Sequence, residues 1–221
     1  MKIINADVYC PDGAFVRKDV FTAGERIVDA PGFCEGESGK EEVAGEICDG
    51  NGCYCIPGLV DIHFHGALGY DVCDDTMEAF ETIGRYELSR GITAMCPATL
   101  TLPVDELKNV LSLGAEFAER RTGDCADLIG FNMEGPFISH EKKGAQNGEY
   151  ILPCSVGIAE EFLNASKGLV KIIGLAPEVN PGFEKYIESV KDKVKVSLAH
   201  TAADYDTSMR AFEAEIGRAH V

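Results

Sequence analysis

From Leu59 onward the chain alternates short apolar runs with longer amphipathic ones, and that alternation restricts the fold more than any other feature. The runs LVDIHFH, ITAMCPATL, DLIGFNMEG, GLVKIIGLAPE and KVKVSLAHT have the length and apolar content of buried strands. The segments DDTMEAFETIGRYELSRG, PVDELKNVLSLGAEFAERR, SVGIAEEFLNA, PGFEKYIESVKD and DYDTSMRAFEAE alternate with them and carry helical patterns. In the first, Met77, Phe80, Ile83 and Leu88 fall near helical spacing and Gly91 provides the stop. In the second, Pro103 sits near the start and Leu107, Leu111 and Ala118 share a face. Repeated β–α units imply a parallel sheet covered by helices, either doubly wound or part of a (β/α)8 barrel.

The reactive residues choose between those two. His63, His65, Glu134 and His200 all fall at the C-terminal ends of their strands, the face on which barrels assemble their sites. No glycine-rich phosphate loop follows the first strand, as a dinucleotide-binding sheet would require. Within VDIHFHG, period-2 alternation puts His63 and His65 on one face with Asp61, and Val60, Ile62 and Phe64 on the other as a buried apolar stripe. Three imidazoles and a carboxylate suit Zn²⁺ or another divalent first-row ion, with Asp61 placed to orient an imidazole. An HxH pair alone is a weak signal, but three strands each ending in a ligand type are a strong one. His140, in a loop, and His220, at the tail, read as solvent-exposed.

The first fifty or so residues follow a different pattern: KIINADVYC, GAFVRKDVFTAG and ERIVDA are short β-rich runs joined by turn signals. GFCEGESGKEEVAGEICDGNG then reads as exposed loop or irregular strand, and IPG marks the boundary. A formal net charge of −17 argues against nucleic acid or an anionic membrane as partner. No apolar stretch approaches a membrane span and the N-terminus has no signal-peptide pattern, so the expected location is the cytoplasm. Nine cysteines without a CxxC pair fit a reducing compartment, and Cys53 and Cys55 read as small buried hydrophobes.

In order along the chain, IPGLVDIHFHG, NMEGPFI, KKGAQN, GLAPE and LAHTAADYD resemble the N-acetylglucosamine-6-phosphate deacetylases of the amidohydrolase superfamily, over Lys2 to about Ala214. The HxH pair is shared across the superfamily; the other motifs in combination are more specific. The resemblance implies an α/β fold, a metal-dependent amidohydrolase (β/α)8 barrel of which about five β–α units are present, with part of a small N-terminal β-sandwich domain. Residues 1–56 would supply the small domain and 57–214 the first part of the barrel. The implied reaction is hydrolysis of N-acetylglucosamine 6-phosphate, a small sugar phosphate, to glucosamine 6-phosphate and acetate. Glu134 and His200 match metal ligands of the family, and His63 and His65 match the pair that holds a second ion in those members that have one. The implied cofactor is one or two divalent ions per subunit, Zn or Fe. Ala145 and Gln146 match loop positions that contact the sugar, and the family is usually homo-oligomeric at full length. A cyclic amidase such as a dihydroorotase is the related alternative, but it would need a lysine late on the fourth strand, whereas Lys171 lies near that strand's start.

The sequence also departs from the family. A full barrel has eight strands in about 250 residues, and the family carries another metal-binding histidine on the sixth strand and a catalytic aspartate later. Neither is found here, so no catalytic residue is assigned, and Asp204 and Asp206 read as opening a helix. Glu215–Val221, EIGRAHV, matches a reading-frame translation of a common sequencing adaptor, and 215–221 is expected to be a non-native tail. On that expectation the chain is an open half-barrel, poorly folded and inactive, and the competing functional reading is a catalytically inert fragment able at most to bind metal.

Overall fold

A computed structural model describes residues 1–24, 26–28, 46–120 and 123–219. His220 and most of the Gly- and Glu-rich loop lie outside the described residues. The chain divides into two compact units, Met1–Pro57 and Gly58–Val221.

In the first unit, alternation in KIINADVY builds β1 (Lys2–Tyr9), which pairs antiparallel with β2 (Phe15–Ala23). The turn between them closes through the Cys10 amide on the Ala14 carbonyl, and Asp12 Oδ1 accepts from the Ala14 amide at 3.1 Å. β3 (Arg26–Val28) extends the hairpin, while β4 (Ile47–Asp49) and β5 (Tyr54–Cys55) pair parallel to β1. Ala6 and Val8 are buried. Tyr9, Phe15 and Tyr54 form an exposed aromatic chain with centroid separations of 5.4 and 4.8 Å. The expectation of buried cysteines fails here: Cys53 is exposed and Cys55 half-buried, because much of this small sheet faces solvent. Of the eight described cysteines, Cys96 is the buried one.

The second unit is a parallel succession. β6 (Leu59–Asp61) is followed by the short hairpin β7 (Gly66–Ala67) and β8 (Tyr70–Asp71), then α1 (Met77–Ser89). β9 (Ile92–Met95) and β10 (Ala98–Thr99) are two halves of one predicted strand, interrupted at Pro97, which has no amide to donate. α2 (Val104–Arg120) leads to β11 (Asp127–Leu128) and β12 (Phe131–Met133), again one predicted strand in two pieces. Next come α3 (Val156–Ala165), β13 (Val170–Leu175), α4 (Phe183–Val190), β14 (Lys195–Leu198), α5 (Tyr205–Glu213) and β15 (Arg218–Ala219). β6 pairs with β9, β9 with β11, β10 with β12, and then β12, β13, β14 and β15 in turn, all parallel. Strands thus neighbour one another in sequence order with no switch point, the progression of a barrel rather than a doubly wound sheet. Residues Arg218 and Ala219, inside the expected tail, pair with Ser197 and Leu198.

The helices bury one face against these strands. In α1, Thr76 caps the N-terminus by accepting from the Ala79 amide at 3.2 Å, and Gly91 adopts a φ of +83° just past the end. Phe80 and Ile83 are fully buried, and Phe80 stacks on Phe117 of α2 (5.6 Å) and meets Phe131 of β12 edge-on (6.1 Å). Each such ring contributes roughly 1.5–3 kcal/mol by leaving water. Asp204 caps α5 through the Thr207 amide at 2.8 Å. No helix among the described residues is long and apolar enough to cross a membrane.

One expectation about β6 is corrected. The strand ends at Asp61, and Val60 and Ile62 are exposed rather than forming a buried stripe. Among the described residues β6 pairs with β9 on one side only, which leaves Val60 and Ile62 largely open to solvent.

Candidate metal centre

The centre lies at the C-terminal ends of β6, β12 and β14. The Cys96 and Ala98 amides, two residues apart, donate to the Asp61 and Phe64 carbonyls, three residues apart. One extra residue therefore bulges from the segment after β6, and Asp61 Oδ1 fixes the bulge by accepting from the His63 amide at 3.0 Å. Asp61 thus holds the backbone of His63. Gly66 follows because the chain then turns back on itself: a Cβ there would sit 1.9 Å from the Tyr70 carbonyl oxygen. His65 Nδ1 bonds the Ala98 carbonyl at 3.0 Å, which turns its Nε2 toward Glu134. Asn132 donates from Nδ2 to the Ile62 carbonyl at 3.0 Å and lies 3.1 Å from His63 Nδ1.

Glu134 directly follows the fully buried Phe131–Met133, so its carboxylate is carried to the strand end on a rigid base. Gly135 permits this placement, since a Cβ on it would meet Thr101 Oγ1 at 2.1 Å. Oε2 of Glu134 lies 2.8 Å from His65 Nε2 and 3.8 Å from His63 Nε2, while Oε1 meets His200 Nε2 at 2.5 Å. Donor atoms of His63, His65 and Glu134 all fall within 4.8 Å of one another. His200 Nδ1 is anchored on the Lys142 carbonyl at 2.8 Å. The structure therefore brings all four expected ligands together, with Glu134 standing between the HxH pair and His200.

The electrostatics agree with that picture. Burial pushes the Glu134 carboxyl up, but the His65 and His200 imidazoles outweigh it and hold the group at about 2. The carboxylate in turn raises His65 above its ordinary range, against the opposing effect of burial. Glu134 Oε2 is sealed from solvent and lacks a well-aligned hydrogen bond despite the imidazole beside it. Imidazole nitrogens gathered around a buried carboxylate oxygen without an aligned proton fit a divalent cation.

Ala145 is exposed on the loop that crosses the site, and a Cβ on neighbouring Gly144 would lie 3.8 Å from His200 Cε1. Gln146 points inward instead: it is buried, and its Oε1 accepts from the Thr101 amide at 2.6 Å. A pocket of about 380 Å³ beside the centre is lined by Glu134, Lys142, Leu198, His200, Thr201 and Ser208, among others. His140 is exposed, and Lys171 lies at the start of β13 with its ammonium on the Gly168 carbonyl. Lys171 therefore has no part in the centre. Asn132 supports the centre but escaped the sequence reading, because its partners are brought to it by the fold.

A sequential parallel succession with histidine and carboxylate ligands at its C-terminal end defines an amidohydrolase-type (β/α)8 barrel, present here in part. In sequence, the chain is a relative of the N-acetylglucosamine-6-phosphate deacetylases. It is 31% identical over 188 residues to the deacetylase of that name from Bacillus subtilis (strain 168), covering 84% of this chain and 47% of the relative. The Bos taurus deacetylase matches at 31% over 208 residues, 91% of this chain and 49% of the relative. The chain thus spans about half the length of the curated relatives it matches. The crystal structure of the Pasteurella multocida deacetylase superposes with a TM-score of 0.81 at 26% identity, covering 99% of this chain and 55% of that one. No family model matches.

Proposed function

We propose that this chain carries the metal-binding part of a hydrolase that removes the acetyl group from N-acetylglucosamine 6-phosphate, giving glucosamine 6-phosphate and acetate. The observation that carries the proposal is Glu134, whose two oxygens face imidazoles from two different strand ends. His63, His65 and Glu134 would hold one Zn²⁺ or Fe²⁺ ion, and His200 with the other oxygen of Glu134 would hold the same ion or a second. Such an ion supplies a Lewis acid for the acetamide carbonyl and acidifies water. The Lys143–Gln146 loop would meet the sugar through the exposed Ala145 backbone. The Gln146 carbonyl is committed to the Thr101 amide, which leaves its amide hydrogens as the donors it can offer.

A second reading, metal binding without turnover, rests on one feature. The ligand cluster among the described residues contains a single carboxylate, Glu134, and that group is already engaged by imidazoles. It leaves no second carboxylate in the cluster to carry a proton from water to the leaving amine. Titrating the purified full chain with Zn²⁺ or Fe²⁺ and assaying acetate release from N-acetylglucosamine 6-phosphate separates the two. Metal-dependent acetate release supports the hydrolase; stoichiometric metal binding with no acetate supports the second reading.

A further inference from the structure

The GLAPE motif contains a carboxylate, Glu178, that the ligand set does not use. We infer that Glu178 is a positioning residue for the metal centre, setting the orientation of His200 through the backbone that follows it. The inference rests on the reading of His200 as a metal ligand.

His200 has a φ of +47°, the left-handed region that a β-substituted residue seldom occupies. Such a conformation persists when neighbouring contacts over-determine it, and the contacts here are specific. The Ser139 amide donates to the His200 carbonyl at 3.1 Å, and Lys142 holds the ring from the other side. Immediately after His200, both oxygens of Glu178 are occupied: Oε2 accepts from the Thr201 hydroxyl at 2.5 Å and Oε1 from the Ala202 amide at 2.7 Å. Thr201 Oγ1 also accepts from the Ala203 amide at 3.0 Å, which closes the turn into α5. The bend from β14 into α5 is therefore gripped by one carboxylate at two consecutive residues.

The grip works only if Glu178 itself is fixed, and it is. Glu178 sits in the single turn of 3-10 helix Pro177–Val179 that ends β13. Buried Asn180 ties this turn to two other segments: Nδ2 donates to the Phe137 carbonyl at 3.2 Å and the Ala176 carbonyl at 2.8 Å, while Oδ1 accepts from the Cys154 amide at 2.6 Å. The end of β13 is thus a rigid bracket, and Glu178 is the arm that reaches to the neighbouring strand end. A carboxylate that orients a ligand through its backbone acts on the metal as an outer-shell hydrogen bond does, with effects on affinity of roughly 10–100-fold.

The test compares wild type, Glu178→Ala, Glu178→Gln, Thr201→Val and His200→Ala as full chains. Zn²⁺ affinity is measured by chelator competition, and the visible absorption spectrum is recorded with Co²⁺ in place of Zn²⁺. Glu178→Ala is expected to weaken Zn²⁺ binding about 10–100-fold and to alter the Co²⁺ spectrum while far-ultraviolet circular dichroism is retained. Glu178→Gln should recover most of the affinity, because a carboxamide can still accept from the Ala202 amide and donate to Thr201 Oγ1. A merely structural role would leave the Co²⁺ spectrum of the folded variant unchanged. Wild-type affinity and spectrum in folded Glu178→Ala would overturn the inference. If that variant does not fold, Thr201→Val decides: a smaller shift in the same direction supports the inference, and no shift overturns it. Failure of the underlying reading looks different, since wild type and His200→Ala would then be indistinguishable in metal binding.

Discussion

Glu134 concentrates the consequences at the scale of single residues. Its carboxyl, ordinarily near 4.5, is held at about 2, and that depression corresponds to about 3 kcal/mol of coupling in the metal-free chain. The sign follows from the two partners. The lowered Glu134 contributes stability that is fully present above 4.5 and lost as pH falls toward 2. The raised His65 contributes stability that is fully present below 6.5 and lost as pH rises through its folded value. Denaturant unfolding of the chelator-treated chain should therefore show this pair's contribution greatest between those limits, and Glu134→Gln should flatten the profile on both sides. An unchanged profile in the variant would contradict the coupling. Zn²⁺ at about a hundred times its Kd should add about 2.7 kcal/mol to the wild type and almost nothing to Glu134→Gln. The convergence of His63, His65, Glu134 and His200 was legible in the sequence because residue type and strand-end position together mark where such side chains meet. Asp61 was legible as a helper but not in its manner of helping, since alternation says where a side chain points and nothing about a bulge that offers it a backbone amide.

Elements supply the next level, where the segment between β6 and α1 is the sharpest case. The chain must reverse within β7 and β8 directly after His65, and Gly66 permits the close approach of the Tyr70 carbonyl. Gly66→Ala should cost about 1–3 kcal/mol by forcing that contact apart, and it should weaken metal binding because the displaced hairpin begins directly after His65. Thr76→Ala offers the contrast: loss of the α1 cap should cost about 1 kcal/mol and leave Zn²⁺ affinity unchanged. Equal losses of affinity in the two variants, measured beside their thermal unfolding, would show that the hairpin has no special hold on the site. Helices α1 to α5 were legible almost to their ends as the amphipathic runs between strands, with Gly91 marking the end of α1, although α4 has no side-chain cap. The strands were legible in number and order but not in continuity. Pro97 and the Ile129–Gly130 step divide two of them, and the exposure of Val60 and Ile62 depends on which neighbours a strand has rather than on its own pattern.

Across the whole molecule, two opposed quantities govern how the chain behaves in solution. The formal net charge of −17 keeps copies apart. Against it stand exposed apolar side chains in two places: Leu59 and Val60 on β6, which among the described residues is paired on one side, with Ile62 just past its end, and Tyr205, Met209 and Phe212 at helical spacing along α5. A strand with an open side offers unpaired backbone groups as well as apolar surface, so association through β6 gains both hydrogen bonds and burial. Repulsion between copies reaches about 30 Å at 0.01 M salt and about 3 Å at 1 M, whereas the apolar attraction is not weakened by screening. At a fixed protein concentration the mean mass from sedimentation should therefore rise as salt is raised from about 0.01 M to about 1 M. Val60→Lys places a charge on the open strand and should suppress that rise, while Zn²⁺ affinity stays at the wild-type value because Val60 touches none of the ligands' anchoring bonds. A mean mass independent of salt would show that the exposed apolar surface is too small or too divided to drive association. A salt-dependent rise that survives Val60→Lys would move the contact from β6 to α5, where Phe212→Lys is the corresponding variant.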